Sequence, residues 1–203
     1  MSEAHVKLIG ELFFECERRN THLWLLGGWG IDALLGRITR EHHDIDIVAE
    51  ESSKEDLRAA IEHIGGEFAP KPVGWRFCKN DVRVDVTFIT YAADGTPISD
   101  LEKDDPDLYP WPPGSFPEKC NGRLPGTSCR AISWEAQYVA KAGYKDVFPD
   151  KALRAKDDLD LEIIRRHVSP ETRKELEEKW FGGIPREAIR ARAANTRHSA
   201  PKI

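Results

Sequence analysis

The 203-residue chain has no apolar run approaching the ~20 residues of a membrane-spanning helix, which argues against a membrane protein. It has only four cysteines, Cys16, Cys78, Cys120 and Cys129, and no two share Cys-x-x-Cys spacing. That spacing argues against a structural zinc site, and reduced thiols in a cytoplasm are the expectation. Positive charge is not in excess: thirty Lys+Arg against thirty-five Asp+Glu give a formal net charge of −5. A surface that grips nucleic acid needs a basic face to neutralise phosphates, so nucleic acid is not the expected partner, whereas small cationic ligands remain open. The opening Met1-Ser2-Glu3-Ala4-His5 lacks the basic-then-apolar layout of a signal peptide, which again predicts a cytoplasmic protein. There is no internal repeat and no low-complexity tract.

What is present is ordinary globular composition, 40% hydrophobic and 32% charged. The length suits one domain or two small ones, with a core large enough to need no covalent staple. Val6, Ile9, Phe13 and Cys16 recur at spacings of three and four, predicting a helix over 3–19 that stops at Asn20. Leu23–Leu26 is a short apolar run suited to a strand buried on both faces, and Gly27-Gly28 follows at once. Ile31, Leu34 and Leu35 predict a short helix stopped by Gly36. The stretch from Ile38 to Val48 ends in the period-two pattern Asp44-Ile45-Asp46-Ile47-Val48, a strand signal. Ser52 and Glu55 have capping-box spacing, predicting a helix to about Ile64. Trp75–Lys79 and Val82–Ile89, joined by Asn80-Asp81, predict a hairpin. In its second arm Val82, Val84, Val86 and Phe88 share one face, and Arg83, Asp85 and Thr87 the other.

The texture changes after about residue 93. Seven of the thirteen prolines fall between Pro97 and Pro125, which predicts a long irregular loop. Helices are expected after Ser133 to about Lys141, over 150–166, and from Ser169-Pro170 to Gly182-Gly183. A last basic helix is expected from Pro185. The division this suggests is a core over 1–95 and a Pro-rich loop with a helical region over 96–203.

The chemistry concentrates in Gly27-Gly28 and Asp44-Ile45-Asp46. Residues two apart on a strand point the same way, so Asp44 and Asp46 project together while Ile45 and Ile47 enter the core. Two carboxylates that close repel, unless one takes a proton or a cation sits between them. Mg2+ suits the second option, because it takes one or two carboxylates and completes its shell with substrate phosphate and water. Asp85, on another strand, is a third acid that joins them if the strands are neighbours. Glycines where a strand becomes a helix let backbone approach a ligand, and a helix N-terminus favours phosphate. Alone, Asp-x-Asp is more often a solvated strand face and Gly-Gly more often a turn. Their order on suitable elements carries the signal.

The stretch LWLLGGWGIDALLGRITREHHDIDIV, Leu23–Val48, resembles the signature of the polymerase-beta-type nucleotidyltransferase superfamily. Within it, the stretch is most similar to the aminoglycoside 2″-adenylyltransferases and the lincosamide nucleotidyltransferases. The shared pattern is the Gly-Gly-Trp turn, Asp32, Gly36, Thr39-Arg40, His42 and Asp44-Ile45-Asp46. Val84-Asp85-Val86 resembles the strand that carries the family's third acid, and CRAISWEAQYVAKAGY, Cys129–Tyr144, resembles a family helix.

The resemblance implies an α+β fold, a small mixed β-sheet core flanked by helices with a C-terminal helical region. It implies transfer of AMP from ATP, or another nucleoside triphosphate, to a hydroxyl of a small acceptor, an aminoglycoside or lincosamide-type antibiotic. Asp44 and Asp46 would bind Mg2+, and Asp85 would be metal ligand or general base. Gly27 and Gly28 would hold phosphates, with Arg40 a phosphate contact. Glu135 would be an auxiliary base or acceptor contact, where the plainer reading is a carboxylate complementing the helix dipole. Two residues after the third acid the aminoglycoside enzymes carry an acid and the lincosamide enzymes a His, while this chain has Thr87.

Trp29 reads as packing. Tyr109, Trp111 and Phe116 are either a ligand wall or the loop's own small core. His42 and His43 lack a partner at zinc spacing, and His42 is a candidate support for the phosphate loop. Lys156, Asp157, Asp158 and Asp160 read as a solvated helix face, with Asp157 or Asp160 resembling a family acid. Two rivals follow: a transferase of the same fold acting on tRNA or protein, and a nucleotide-binding regulator or antitoxin without turnover.

Overall fold

The computed structural model describes residues 2–71, 73–100, 108–143 and 154–180. The expected Gly182-Gly183 stop and the helix from Pro185 lie outside them. Among the described residues the helices are α1 (Ser2–Arg18), α2 (Gly27–Leu35), α3 (Lys54–His63), α4 (Trp134–Ala142), α5 (Ala155–Arg165) and α6 (Pro170–Trp180). The strands are β1 (Leu23–Leu26), β2 (Asp44–Glu50), β3 (Glu67–Ala69), β4 (Trp75–Lys79), β5 (Val82–Tyr91), β6 (Pro97–Asp100), β7 (Leu108–Pro110), β8 (Gly122–Leu124) and β9 (Thr127–Cys129). The chain divides into two compact units, 1–88 with 116–133 and 89–115 with 134–203. Residues 116–133, beyond the compositional break after about residue 93, are part of the first unit.

The first unit is a sheet in the order β1-β2-β5-β4-β3. The alternation read in β2 and β5 is realised: Ile45, Ile47, Val84 and Val86 are buried, while Asp44, Asp46, Arg83, Asp85 and Thr87 lie on the half-exposed face. The stripe of α1 (Leu8, Ile9, Leu12, Phe13, Cys16) and that of α3 (Leu57, Ala60, Ile61) enter the same core as Phe77 and Val84. Each large apolar side chain so buried stabilises the unit by roughly 1.5–3 kcal/mol. Asn20 stops α1 in the left-handed region at φ 55°. Burial pushes the Cys16 thiol up to about 12, with the Glu15 charge adding to the effect. Burial likewise pushes the Cys129 thiol up to about 12.

In the second unit the end of β5 pairs with β6, and β6 with β7, both antiparallel. The Trp111 indole N–H donates to Ser99 Oγ at 2.8 Å beneath them. Of α4, α5 and α6, the last is capped as its sequence predicts, with the Thr172 backbone N–H donating to Ser169 Oγ at 3.1 Å.

Three expectations are corrected. The Pro-rich stretch is not irregular throughout, because it carries β6 to β9. Its prolines punctuate strands rather than break them: Pro97 heads β6, Pro110 ends β7, and Pro125-Gly126 makes the turn of the β8–β9 hairpin. The Ser52 capping box does not form. A 3-10 turn occupies Glu51–Ser53, and Ser52 Oγ donates to Glu50 at 3.2 Å instead. The acidic run of α5 is not wholly solvated: Asp157 and Asp160 are buried, and Lys141 of α4 contacts each at 2.8 Å. Trp29 is core, as expected, and so is Trp111. Phe116 packs edge-on against Trp24 with ring centroids 5.3 Å apart.

Candidate active site

Two strand pairings set the positions of the first unit's polar residues. The two-residue turn Asn80-Asp81, both at positive φ, fixes the register of β4 on β5 and puts Arg76 opposite Asp85. Opposite charges directly across a ladder attract. Here Arg76 Nε donates to Asp85 Oδ1 at 2.8 Å and Nη2 to Oδ2 at 3.2 Å, a two-pronged ion pair. In the other pairing, β1 against β2 sets Leu26 opposite Asp46. The chain then turns through Gly27 at φ 65° into α2, and a Cβ on Gly27 would lie 3.4 Å from Asp46 Oδ2. The first turn of α2 therefore starts beside the Asp46 carboxylate.

β2 and β5 are sheet neighbours, which meets the condition on Asp85. Arg83 ties their acids together: its guanidinium donates to Asp44 Oδ2, and its Nε lies 3.5 Å from Asp85 Oδ2. Lys71 Nζ lies 3.5 Å from Asp85 Oδ1. Burial works to raise the Asp85 pKa. The Arg76 hydrogen bond and the charges of Lys71, Arg76 and Arg83 outweigh it and hold the carboxyl below its ordinary value. Asp85 is thus a committed anion. Among the described residues, no three His, Cys, Asp or Glu side chains close around one point. Asp44 and Asp85 are bridged by Arg83, and Asp46 lies at Gly27. The donor set still fits a hard divalent cation, because all its ligands are carboxylate oxygens and one pair already shares a cationic group.

Behind the first turn of α2 lies a second cluster. Asp32 is fully buried and accepts from Thr39 N at 3.1 Å and Thr39 Oγ1 at 2.5 Å, both on Oδ1. His42 Nε2 lies 2.6 Å from its Oδ2, and Arg40 Nη1 lies 3.0 Å from His42 Nδ1. Trp29 covers the imidazole at 4.4 Å between centroids. A Cβ on Gly28 would fall 2.4 Å from His42 Nδ1 and 2.6 Å from Arg40 Nη2. Only glycine fits there, so the helix start, His42 and Arg40 form one packed group.

The structure thus brings Gly27, Gly28, Arg40, Asp44, Asp46 and Asp85 into the first unit. Glu135 belongs to the second, in the first turn of α4. Sequence reasoning missed Arg83, Arg76 and Lys71 as partners of the acids. Two of them were recoverable: Arg83 shares the Asp85 face of its strand, and the two-residue turn alone dictates Arg76 opposite Asp85.

A model of the aminoglycoside-2″-adenylyltransferase family matches residues 9–164. A 2″-aminoglycoside nucleotidyltransferase of Klebsiella pneumoniae is 33% identical over 150 residues, 73% of this chain and 79% of that one. The crystal structure of ANT(2″)-Ia in complex with adenylyl-2″-tobramycin has a TM-score of 0.71 at 28% identity, covering 94% of this chain and 99% of that one. The lincomycin-bound lincosamide adenylyltransferase LnuA has a TM-score of 0.57 at 25% identity, covering 74% of this chain and 89% of that one.

Proposed function

The chain belongs to the aminoglycoside-2″-adenylyltransferase family and is a nucleotidyltransferase, and from that premise we propose that it adenylylates a hydroxyl of an aminoglycoside-type antibiotic with ATP and Mg2+. In the reaction the acceptor hydroxyl oxygen bonds to the α-phosphorus and gives up its proton to a base or to water, the bond to the pyrophosphate oxygen breaks, and pyrophosphate leaves. Positioning and electrostatics carry most of the rate in such transfers. Mg2+, when bound, supplies charge stabilisation of the triphosphate.

The residues divide that work. Asp44 and Asp46 hold the metal. Gly27 and Gly28 present backbone N–H groups of the first turn of α2 to phosphate, and Arg40 adds a guanidinium. Asp85 is better suited to ligand than to base: a general base works best with a pKa near the operating pH, and that of Asp85 is held below its ordinary value. Glu135, on the family resemblance, is an acceptor contact or auxiliary base. The carrying observation is the Asp44–Arg83–Asp85 bridge on adjacent strands, in the unit that holds the Gly27 turn against Asp46. A cytoplasmic location accords with this chemistry.

The test is a pyrophosphate-release screen with ATP, GTP, CTP and UTP, Mg2+, and panels of aminoglycosides and lincosamides. We expect turnover with ATP and an aminoglycoside, abolished in folded Asp44→Ala and Asp46→Ala protein. Full activity in either variant sinks the metal assignment, and a lincosamide as the better acceptor corrects the substrate class.

A further inference from the structure

We infer that Asp32 and His42 are positioning residues, which orient the Arg40 guanidinium for the nucleotide's polyphosphate. The inference rests on the reading of Arg40 as a phosphate contact and adds what aims it.

Donor and acceptor chemistry sets the chain of bonds. An ionised carboxylate only accepts, so His42 Nε2 carries a hydrogen and donates to Asp32 over 2.6 Å. A guanidinium only donates, so Arg40 Nη1 donates to His42 Nδ1 over 3.0 Å. The imidazole is thus held from both sides, with Nε2 on Asp32 and Nδ1 on Arg40. The two Thr39 donors on Oδ1 hold the Asp32 carboxylate in place and leave Oδ2 to the imidazole. The ring cannot swing away, since Trp29 covers one face and the Cβ-free Gly28 lets it press against the start of α2.

Arg40 itself lies on the irregular segment between α2 and β2, a poor platform for a long side chain. Its guanidinium is held by His42 and by the neighbouring Glu41 carbonyl, to which Nη1 donates at 3.2 Å, and Asp32 and His42 are what tie it to the helix. The His42–Arg40 hydrogen bond is half-buried and reaches past the Thr39 anchor to the guanidinium itself.

The experiment titrates the full chain with inorganic tripolyphosphate in EDTA by calorimetry, alongside MgATP kinetics. A charge-assisted hydrogen bond corresponds to roughly ten- to a hundredfold in affinity, so Arg40→Gln should weaken tripolyphosphate by about that factor. In Asp32→Asn the amide oxygen stays with the two Thr39 donors and the NH2 faces His42. That reverses the tautomer and turns an N–H toward Arg40. Asp32→Asn should therefore weaken tripolyphosphate to a similar degree. The double variant with Arg40→Gln should be no weaker than Arg40→Gln alone, within the about twofold error of additivity. His42→Ala should weaken binding, and His42→Gln, whose amide can donate to Asp32 and accept from Arg40, should recover most of it. The KM for MgATP should rise in step, with the acceptor KM unchanged.

If Asp32→Asn does not fold, the His42→Ala/Arg40→Gln cycle and the His42→Gln rescue carry the same test. Unchanged affinity in Arg40→Gln overturns the phosphate-contact reading and the inference with it. Loss in Arg40→Gln but none in Asp32→Asn and His42→Ala overturns the inference alone. So does a loss that adds to that of Arg40→Gln.

Discussion

Gly28→Ala is a sharp test of the packed group at the start of α2, because two effects oppose each other there. The residue lies in a helix, where alanine is favoured over glycine by about 0.8–1.0 kcal/mol. If nothing stood over the site, the variant would be more stable. At about 2–4 °C per kcal/mol for a chain of this size, its melting temperature would rise by roughly that much. But the new Cβ would stand 2.4 Å from His42 Nδ1, 2.5 Å from Cε1 and 2.6 Å from Arg40 Nη2. Arg40 can yield, since the clash is with the end of a flexible side chain. His42 cannot, being buried beneath Trp29 and bonded to Asp32. Overpacking of this kind costs about 1–3 kcal/mol. Net destabilisation of about 0–2 kcal/mol follows, seen in calorimetry as a melting temperature lowered by up to about 8 °C. The functional loss should be larger in proportion, because the Arg40–His42 hydrogen bond is displaced: the KM for nucleotide should rise about tenfold or more. A Gly28→Ala protein that melts higher than the parent and keeps its nucleotide KM would refute the close packing of this group.

Three other outcomes are expected. Lys141→Met removes the cation that Asp157 and Asp160 share, with Arg154 still on Asp157; breaking a buried pair costs about 3–5 kcal/mol, and the melting temperature should fall by about 10 °C. Burial acts to raise the Asp157 pKa, but hydrogen bonds from Arg154 and Lys141 overcome it and depress it strongly. Its stabilisation is thus fully present above the unfolded-state value near 3.9 and lost as pH falls toward the folded one, so Asp157→Asn should flatten the acid side of the stability profile in calorimetry. Arg83→Gln removes the cation shared by Asp44 and Asp85, and it should bind Mn2+ more tightly than the parent in an electron paramagnetic resonance titration; weaker binding contradicts competition between guanidinium and metal.

The elements with strict periodicity were legible. The β5 alternation, the Asn80-Asp81 turn and the stop of α1 at Asn20 each follow from a local rule, and each was realised. The faces of Asp44, Asp46 and Asp85 were legible for the same reason, because period two puts each on the half-exposed side of its strand. What was hidden depends on contacts distant in sequence. The Lys141 pairings with Asp157 and Asp160 join different helices, so a charge run that reads as solvated is half buried. The short strands β6 to β9 have three or four residues each, too few for a period to emerge. The capping box at Ser52 failed because a competing local bond to Glu50 was equally available.

The net charge of −5 suggests an acidic cleft that draws a polycationic acceptor, and the site's contacts change that argument. Asp44 and Asp85 are already matched by Arg83, Arg76 and Lys71, and Arg40 stands at the start of the neighbouring helix. Four acids, counting the buried Asp32 behind Arg40, beside four cations present no excess of negative field to a distant polycation. They present the mixed pattern that the proposed cation–polyphosphate pair would require, with carboxylates for a metal and guanidinium and ammonium groups for phosphates. Under the proposed function, attraction of an aminoglycoside would therefore fall to acids outside this cluster. Neutralising Asp44 or Asp46 should abolish turnover while leaving the salt dependence of acceptor binding, measured by calorimetry, as it is in the parent. A salt dependence that collapses in Asp46→Asn would return the acceptor's charge recognition to the metal site.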